Sequence, residues 1–460
     1  MKTINQIKML TLSATLLLNL VSCESFIEVD PPKSQLIGAN TFEEVSTATA
    51  VLSNIYVQIR ENGFLSGVTN GGTHLLGNYA DELDFYGTNT SLMEFNNHTL
   101  IATNTMLSAL WNTSYNQIYS ANALLEGVTK SETISDTDKN RLLGEALFIR
   151  AYLHFYLTNT FGAVPYITTT NYNINKNIGK LSPEQIYQKS ISDLIEAEQL
   201  IPDTYPTAER VRPNKATVKA LLARVYLYAQ NWEKAESYAT AVIENPLYLW
   251  VNDSNAEFLK DSPSIIWSLH PGIAGLNTKE ARTFIFTSGP PTRPALSLSL
   301  MNSFEPNDRR KTNWTKTVTK SGASWACAYK YKKNSNTGTS VEYTILFRLA
   351  EQYLIRAEAR AQNEDLSGAQ HDINKIRNRA GLANTTAATA SELLDAILQE
   401  RRVELFLEQG HRWYDIKRTD KADAILSNLK PQWKSTQILL PLPEKELLLN
   451  KNLLPQNTGY

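Results

Sequence analysis

The chain has 460 residues, 42% hydrophobic and 20% charged, with a formal net charge of -1. This is the balance of a folded globular protein large enough for an extensive core, and it offers no general attraction for nucleic acid. Cys23 and Cys327 are the only cysteines, which excludes a disulfide scaffold and leaves stability to packing.

Lys2 and Lys8 open the chain, and the apolar run Met9 to Leu20 closes on Leu20-Val21-Ser22-Cys23. A positive start, a short apolar stretch and a small residue before cysteine resemble a bacterial lipoprotein signal. A spanning helix needs about 20 apolar residues, and this run gives way sooner to Glu24, Glu28 and Asp30. Residues 1–22 are expected to be removed, leaving Cys23 lipidated and residues 23–45 as a tether. An ordinary secretory signal is the plainer alternative, and either places the mature protein outside the cytoplasm. Within the tether, Asp30-Pro31-Pro32 disfavours helix.

Residues 46–246 then read as helical. Ala146, Ile149, Leu153 and Tyr156 share one helical face, as do Val218, Leu221, Val225 and Tyr228. The second set is followed by a break at Asn231, a further face of Ala235, Tyr238, Ala239, Val242 and Ile243, and a stop at Asn245-Pro246. That is a helical hairpin, and Asn231 to Pro246 resembles the second half of a tetratricopeptide repeat. Residues 344–460 repeat the pattern, with Ala350, Leu354, Ala357 and Ala361, a turn at Asp365 to Gly368, then Ala369, Ile373, Ile376 and Ala380. Stretches around residues 47–59, 107–128, 183–200 and 392–408 supply further helices. The predicted fold is mainly α: tetratricopeptide-like helical hairpins in an α/α superhelical scaffold, with long irregular loops and a few short strands.

Residues 247–343 break this pattern with Pro263, Pro271, the cluster Gly289 to Pro294, and short β-prone pieces such as Ile265-Ile266-Trp267. A second irregular stretch runs from Gly63 to Thr99. Long irregular segments inside a compact domain are usually functional or disordered, and their aromatic content argues against disorder. Trp267, Trp314 and Phe304 are assigned to the core, and Cys327 is taken as an inert small hydrophobe.

Seven blocks in this order resemble the SusD/RagB family of outer-membrane lipoproteins. They are Phe26 to Pro32, Trp111 to Leu125, Gly144 to Tyr152 running into Phe161-Gly162-Ala163-Val164-Pro165, and Arg212 to Ala216. Then come Ser303-Phe304 with Asp308-Arg309-Arg310, Leu349-Ala350-Glu351 with Arg356 to Ala359, and Glu400 to Arg418. The resemblance implies stacked helical hairpins bearing ligand loops, held on the outer face of the outer membrane by a lipid anchor. It also implies a SusC-like TonB-dependent transporter as partner and an oligosaccharide as cargo. Some relatives take peptides, so an oligopeptide is the alternative ligand.

Catalytic and metal motifs fare poorly. Glu400, Glu404 and Glu408 share a helical stripe, and Glu408 to His411 has the Glu-x-x-His spacing of di-iron bundles. Gly410 is expected to end the helix before His411, and interleaved Arg401, Arg402, Arg412 and Arg418 point to ion pairs instead. Asn363 to Gly368 matches the opening of a calcium loop, but Asn374 stands where the bidentate Glu belongs, so a helix cap by Asp365 or Ser367 is expected. Nucleophile-elbow, phosphate-loop and zinc-helix motifs are missing from the sequence. Asp81 with Asp84 is a nominal glycosidase pair that any acidic loop would match. The reading is therefore non-catalytic, with no cofactor and no metal.

For binding, a pyranose stacks its C–H face on aromatic rings and takes paired hydrogen bonds from Asp, Asn and Arg. Asp81, Asp84, Phe85, Tyr86 and Asn89 form such a set in the first loop. Arg282, Phe284, Arg293 and Trp325 are the candidates in the second.

Overall fold

The computed structural model describes residues 41–460, within which Phe42–Tyr460 form one compact unit. The signal segment, Cys23 and residues 23–40 of the tether lie outside the described residues.

Helix α1 (Val45–Glu61) buries Ala48, Leu52, Ile55 and Ile59 at helical spacing. The stretch from Gly63 to Thr99 is less irregular than its sequence suggests. It contains helices α2 (Gly72–Tyr79) and α3 (Thr90–Asn97), with the short strand β1 (Leu83–Asp84) between them. Every α2 residue is buried, so the helix has no polar face to set up a periodicity. α3 begins where the Asn89 side chain accepts a hydrogen bond from the Leu92 amide at 3.1 Å.

Helices α4 (Thr105–Lys130) and α5 (Asp136–Phe161) are capped by Asn104 and Ser135 and pack on each other. From Gly144 to Phe161 every α5 residue is buried. α6 (Tyr172–Asn175) is a single turn, and α7 (Pro183–Leu200) opens with a Ser182 capping box and packs on α5. α8 (Lys215–Tyr228) and α9 (Trp232–Ile243) form the predicted hairpin, with Asn231 capping α9.

The intervening region holds β2 (Ile265–Leu269), α10 (Lys279–Phe284), β3 (Ala295–Leu296), α11 (Leu298–Met301), α12 (Arg309–Trp314), β4 (Thr315–Lys320) and β5 (Ala323–Ala328). After β6 (Thr344–Arg348) come α13 (Leu349–Gln362), α14 (Leu366–Arg379), α15 (Ala390–Glu404), α16 (His411–Arg418), α17 (Ala422–Leu429) and α18 (Glu444–Leu449). α13 packs on α9 as well as on α14 and α15, so hairpins far apart in the chain stack directly. The fold is thus the predicted helical-hairpin scaffold. Asp365 caps α14, its carboxylate accepting from the Gly368 amide at 3.0 Å, so the calcium-like run is a helix start. α15 stops at Glu404 rather than Glu408 because Leu407, Gln409 and Gly410 take positive φ.

Two small antiparallel sheets complete the architecture. β2 pairs with β6, setting Trp267 opposite Phe347 in the core, where Phe148, Tyr152 and Tyr56 surround the indole. Trp314, Phe304 and Cys327 are buried too, as the sequence indicated. The second sheet runs β1-β3-β5-β4. Leu83 pairs with Leu296 and Asp84 with Ala295, which fastens the first loop to the second.

Candidate functional site

The junction of the two loops is anchored from beneath by Asp81. Its carboxylate accepts hydrogen bonds from Arg412 at 2.6 and 2.9 Å and from Arg402 at 2.6 Å, and its carbonyl accepts from the Ser297 hydroxyl at 2.5 Å. The side chain is buried, which works to raise its pKa, but Arg412 and Arg402 outweigh burial and keep it ionised. Asp81, expected to touch ligand, is therefore a positioning residue that ties β1 to α15 and α16. The adjacent Glu82 accepts from the Leu407 amide at 3.0 Å, and its carbonyl accepts from the Ser297 amide at 2.9 Å. Burial pushes the Glu82 carboxyl up to about 7.

Above this anchor the loops enclose an open cleft of about 530 Å³. Four of the predicted residues meet there: Phe85 and Asn89 from the first loop, Arg282 and Arg293 from the second. Phe85 folds over Gly87, where an added Cβ would lie 2.8 Å from the ring, so glycine alone allows this packing. Asn89 spends its carbonyl oxygen on the Leu92 amide, leaving the side-chain NH2 as the group it has to offer. One Arg293 N–H donates to the Ile285 carbonyl at 2.6 Å, which orients the guanidinium. Arg282 is exposed on α10.

Sequence reasoning missed the rest of the lining. Val68, Leu92 and Pro294 add apolar surface, Thr69, Thr88 and Thr292 add hydroxyls, and Lys279 adds a cation held by Glu61 at 2.6 Å. His74 also lines the cleft, its Nδ1 lying 2.5 Å from the Thr69 carbonyl. Burial lowers its pKa to about 4, so the ring is neutral. Thr88 close to Phe85 and Thr292 close to Pro294 were the available signal.

Tyr86, Asp84 and Trp325 sit outside the cleft lining. Tyr86 is 41% exposed, and burial with the nearby Asp84 charge raises its pKa while Trp325 opposes them. Trp325 is half-buried and lies on Gly289, where an added Cβ would come 2.1 Å from the indole. Asp84 is exposed at the sheet edge. Phe284 is corrected: it is 2% exposed, packed against His74 with ring centroids 6.0 Å apart, and belongs to the core beneath the loops. It lies on the inner face of α10, whereas Arg282 lies on the outer one.

The acidic stripe is structural. Glu404 accepts from Arg348 at 2.6 Å and Arg310 at 3.2 Å and also pairs with Arg379; Glu400 accepts from Arg310 at 2.7 Å and Arg377 at 2.8 Å. Glu408 is bound by Lys330 at 2.6 Å and Arg348 at 2.8 Å. Burial acts to raise the Glu404 pKa, yet Arg379, Arg348 and Arg310 hold it well below the usual carboxylate range. His411 starts a new helix beyond the break and stands 3.8 Å from Glu351, off the stripe. Three His, Cys, Asp or Glu side chains suitably grouped for a metal do not occur among the described residues.

A helical-hairpin scaffold that fastens two loops into an open, ring-bearing cleft is the architecture of a binding protein. Residues 25–227 match the family model described as starch-binding and associating with the outer membrane, and residues 296–460 match that of the SusD family. The chain belongs to the SusD/RagB family. SusD-like protein P2 of Formosa agariphila is 29% identical over 507 residues, spanning 97% of this chain and 98% of its own. A SusD superfamily structure from Bacteroides vulgatus superposes with a TM-score of 0.80 at 22% identity, covering 91% of this chain and all of the other (100%). A laminarin-binding SusD-like protein has a TM-score of 0.74 at 24% identity, with coverage of 90% and 99%.

Proposed function

We propose that this protein is a non-catalytic, cell-surface glycan-binding lipoprotein that captures oligosaccharides and passes them to a SusC-like TonB-dependent transporter. Cys23 carries the lipid that holds it to the outer membrane, consistent with the absence, among the described residues, of any helix long and apolar enough to cross a membrane. The observation that carries the reading is the cleft itself. Strand pairing sets the Phe85 ring among threonine hydroxyls, the Asn89 amide and two guanidiniums, the combination that an apolar sugar face and a rim of hydroxyls require. The laminarin-binding relative and the starch-binding family description support a saccharide over the alternative oligopeptide. Capture for hand-over also calls for an open site with ready release, since affinity differences reside mainly in the off-rate.

Retardation of the purified protein in gels cast with individual polysaccharides tests this. Phe85→Ala is expected to restore free mobility in the retarding gel with the fold intact by circular dichroism, and Tyr86→Ala to weaken retardation less. Unchanged mobility in both variants removes the loop cleft as the site. Binding of peptides with no polysaccharide retained replaces the saccharide reading with the oligopeptide one.

A further inference from the structure

The charges around the loop cleft are one-sided. Lys279, Arg282 and Arg293 line it, and among the described residues no Asp or Glu does. Lys279 is neutralised by Glu61 at 2.6 Å. Arg282 is exposed and Arg293 gives one N–H to the Ile285 carbonyl, so both guanidiniums keep free donors facing solvent. The nearest predicted acids are withdrawn: Asp81 is buried under Arg402 and Arg412, and Asp84 stands outside the lining. The one side-chain amide among the described lining residues, Asn89, has its acceptor oxygen occupied by the Leu92 amide.

A neutral sugar presents hydroxyls that donate as well as accept, and a carboxylate is the side chain that can only accept from them. This cleft supplies donors and cations in excess of acceptors. Granted the saccharide reading above, we infer that the cleft selects an acidic saccharide, bearing carboxylate or sulfate groups, which Arg282 and Arg293 read while Phe85 stacks on the ring. Planar guanidiniums suit both anions because each offers two parallel N–H bonds. A cationic cleft with low-dielectric walls also concentrates such a polyanion before contact.

The test compares polygalacturonate, whose anions are carboxylates, and carrageenan, whose anions are sulfates, with neutral laminarin and with poly-glutamate, titrated into the full chain by calorimetry at two salt concentrations. One of the acidic glycans is expected to bind at least about ten-fold more tightly than laminarin, with affinity falling as salt rises. Whichever of the two binds decides between carboxylate and sulfate. Arg282→Gln and Arg293→Gln are each expected to weaken that binding about ten-fold and laminarin binding by much less, because glutamine still bonds a hydroxyl but offers no charge to an anion, whereas Phe85→Ala weakens every glycan. Preference for laminarin, or binding indifferent to salt and to both arginine variants, overturns the acidic assignment and leaves the saccharide reading standing. Poly-glutamate binding without any glycan, or no binding at all, overturns both.

Discussion

Replacing Glu404 with glutamine tests the largest electrostatic commitment in the fold. Glu404 is fully buried and is shared by Arg348, Arg310 and Arg379, themselves buried to about the same degree. Removing one member of a buried pair costs roughly 3–5 kcal/mol, because the partner charge is left uncompensated. Here the loss is spread: Arg310 keeps Asp308 and Glu400, Arg348 keeps Glu408 and Glu257, and Arg379 keeps, among the described carboxylates, only Glu257 at 3.1 Å. The expected cost of Glu404→Gln is therefore about 4 kcal/mol, borne mainly at Arg379. The control is Asp395→Asn on the same helix, whose pair with Lys421 at 3.4 Å is exposed on both sides and should matter by less than about 1 kcal/mol. Urea unfolding at constant m-value gives both numbers. Because the folded pKa of Glu404 is depressed, its contribution is present above the unfolded value and is lost only as pH falls through the folded one. The deficit should therefore be the same at pH ~8 and pH ~5. A Glu404→Gln variant within about 1 kcal/mol of the parent would refute the view that this carboxylate holds three cations in the core.

Asp81→Asn should uncouple the cleft from its foundation, since Arg412 loses the carboxylate it pairs with; a cost of roughly 3–4 kcal/mol and weaker polysaccharide retardation are expected although Asp81 is buried and does not line the cleft. Glu82→Gln should show the opposite pH behaviour to Glu404→Gln. The folded pKa of Glu82 is raised to about 7, so its stabilisation is present below the unfolded value and lost as pH rises through 7. The glutamine variant should therefore gain about 2 kcal/mol relative to the parent between pH ~5 and pH ~8, read from urea midpoints, and a constant difference across that range would contradict the assignment. Gly87→Ala should displace the Phe85 ring by crowding its edge and reduce glycan affinity with little loss of stability.

The blocks that resembled a family in sequence turn out to be, in large part, the charged ties between helices. Glu145 accepts from Arg212 at 2.7 Å and from Tyr56 at 2.6 Å, and Arg150 holds Asp193 at 2.7 Å. Arg224, which follows one of these blocks, grips Glu351 at 2.6 Å, and Arg356 grips Asp372 at 2.7 Å. Such partners must sit at fixed positions on amphipathic helices, so they leave runs that can be read in one dimension. The same holds for the capped starts of α7 and α14 and for the hairpin of α8 and α9.

Periodicity, capping residues and buried charge thus determined the helical scaffold from sequence alone, because each acts over a few neighbouring residues. Which loop residues face the cleft was decided only by the tertiary structure. Strand β1 meets β3 from a distant part of the chain, bringing Phe85 and Asn89 to Arg282 and Arg293. The same packing draws Asp81 and Phe284 inward, onto two arginines and into the core respectively. Local composition marks an aromatic or an acid as available for binding, but only long-range pairing fixes whether it points out of the molecule or into it.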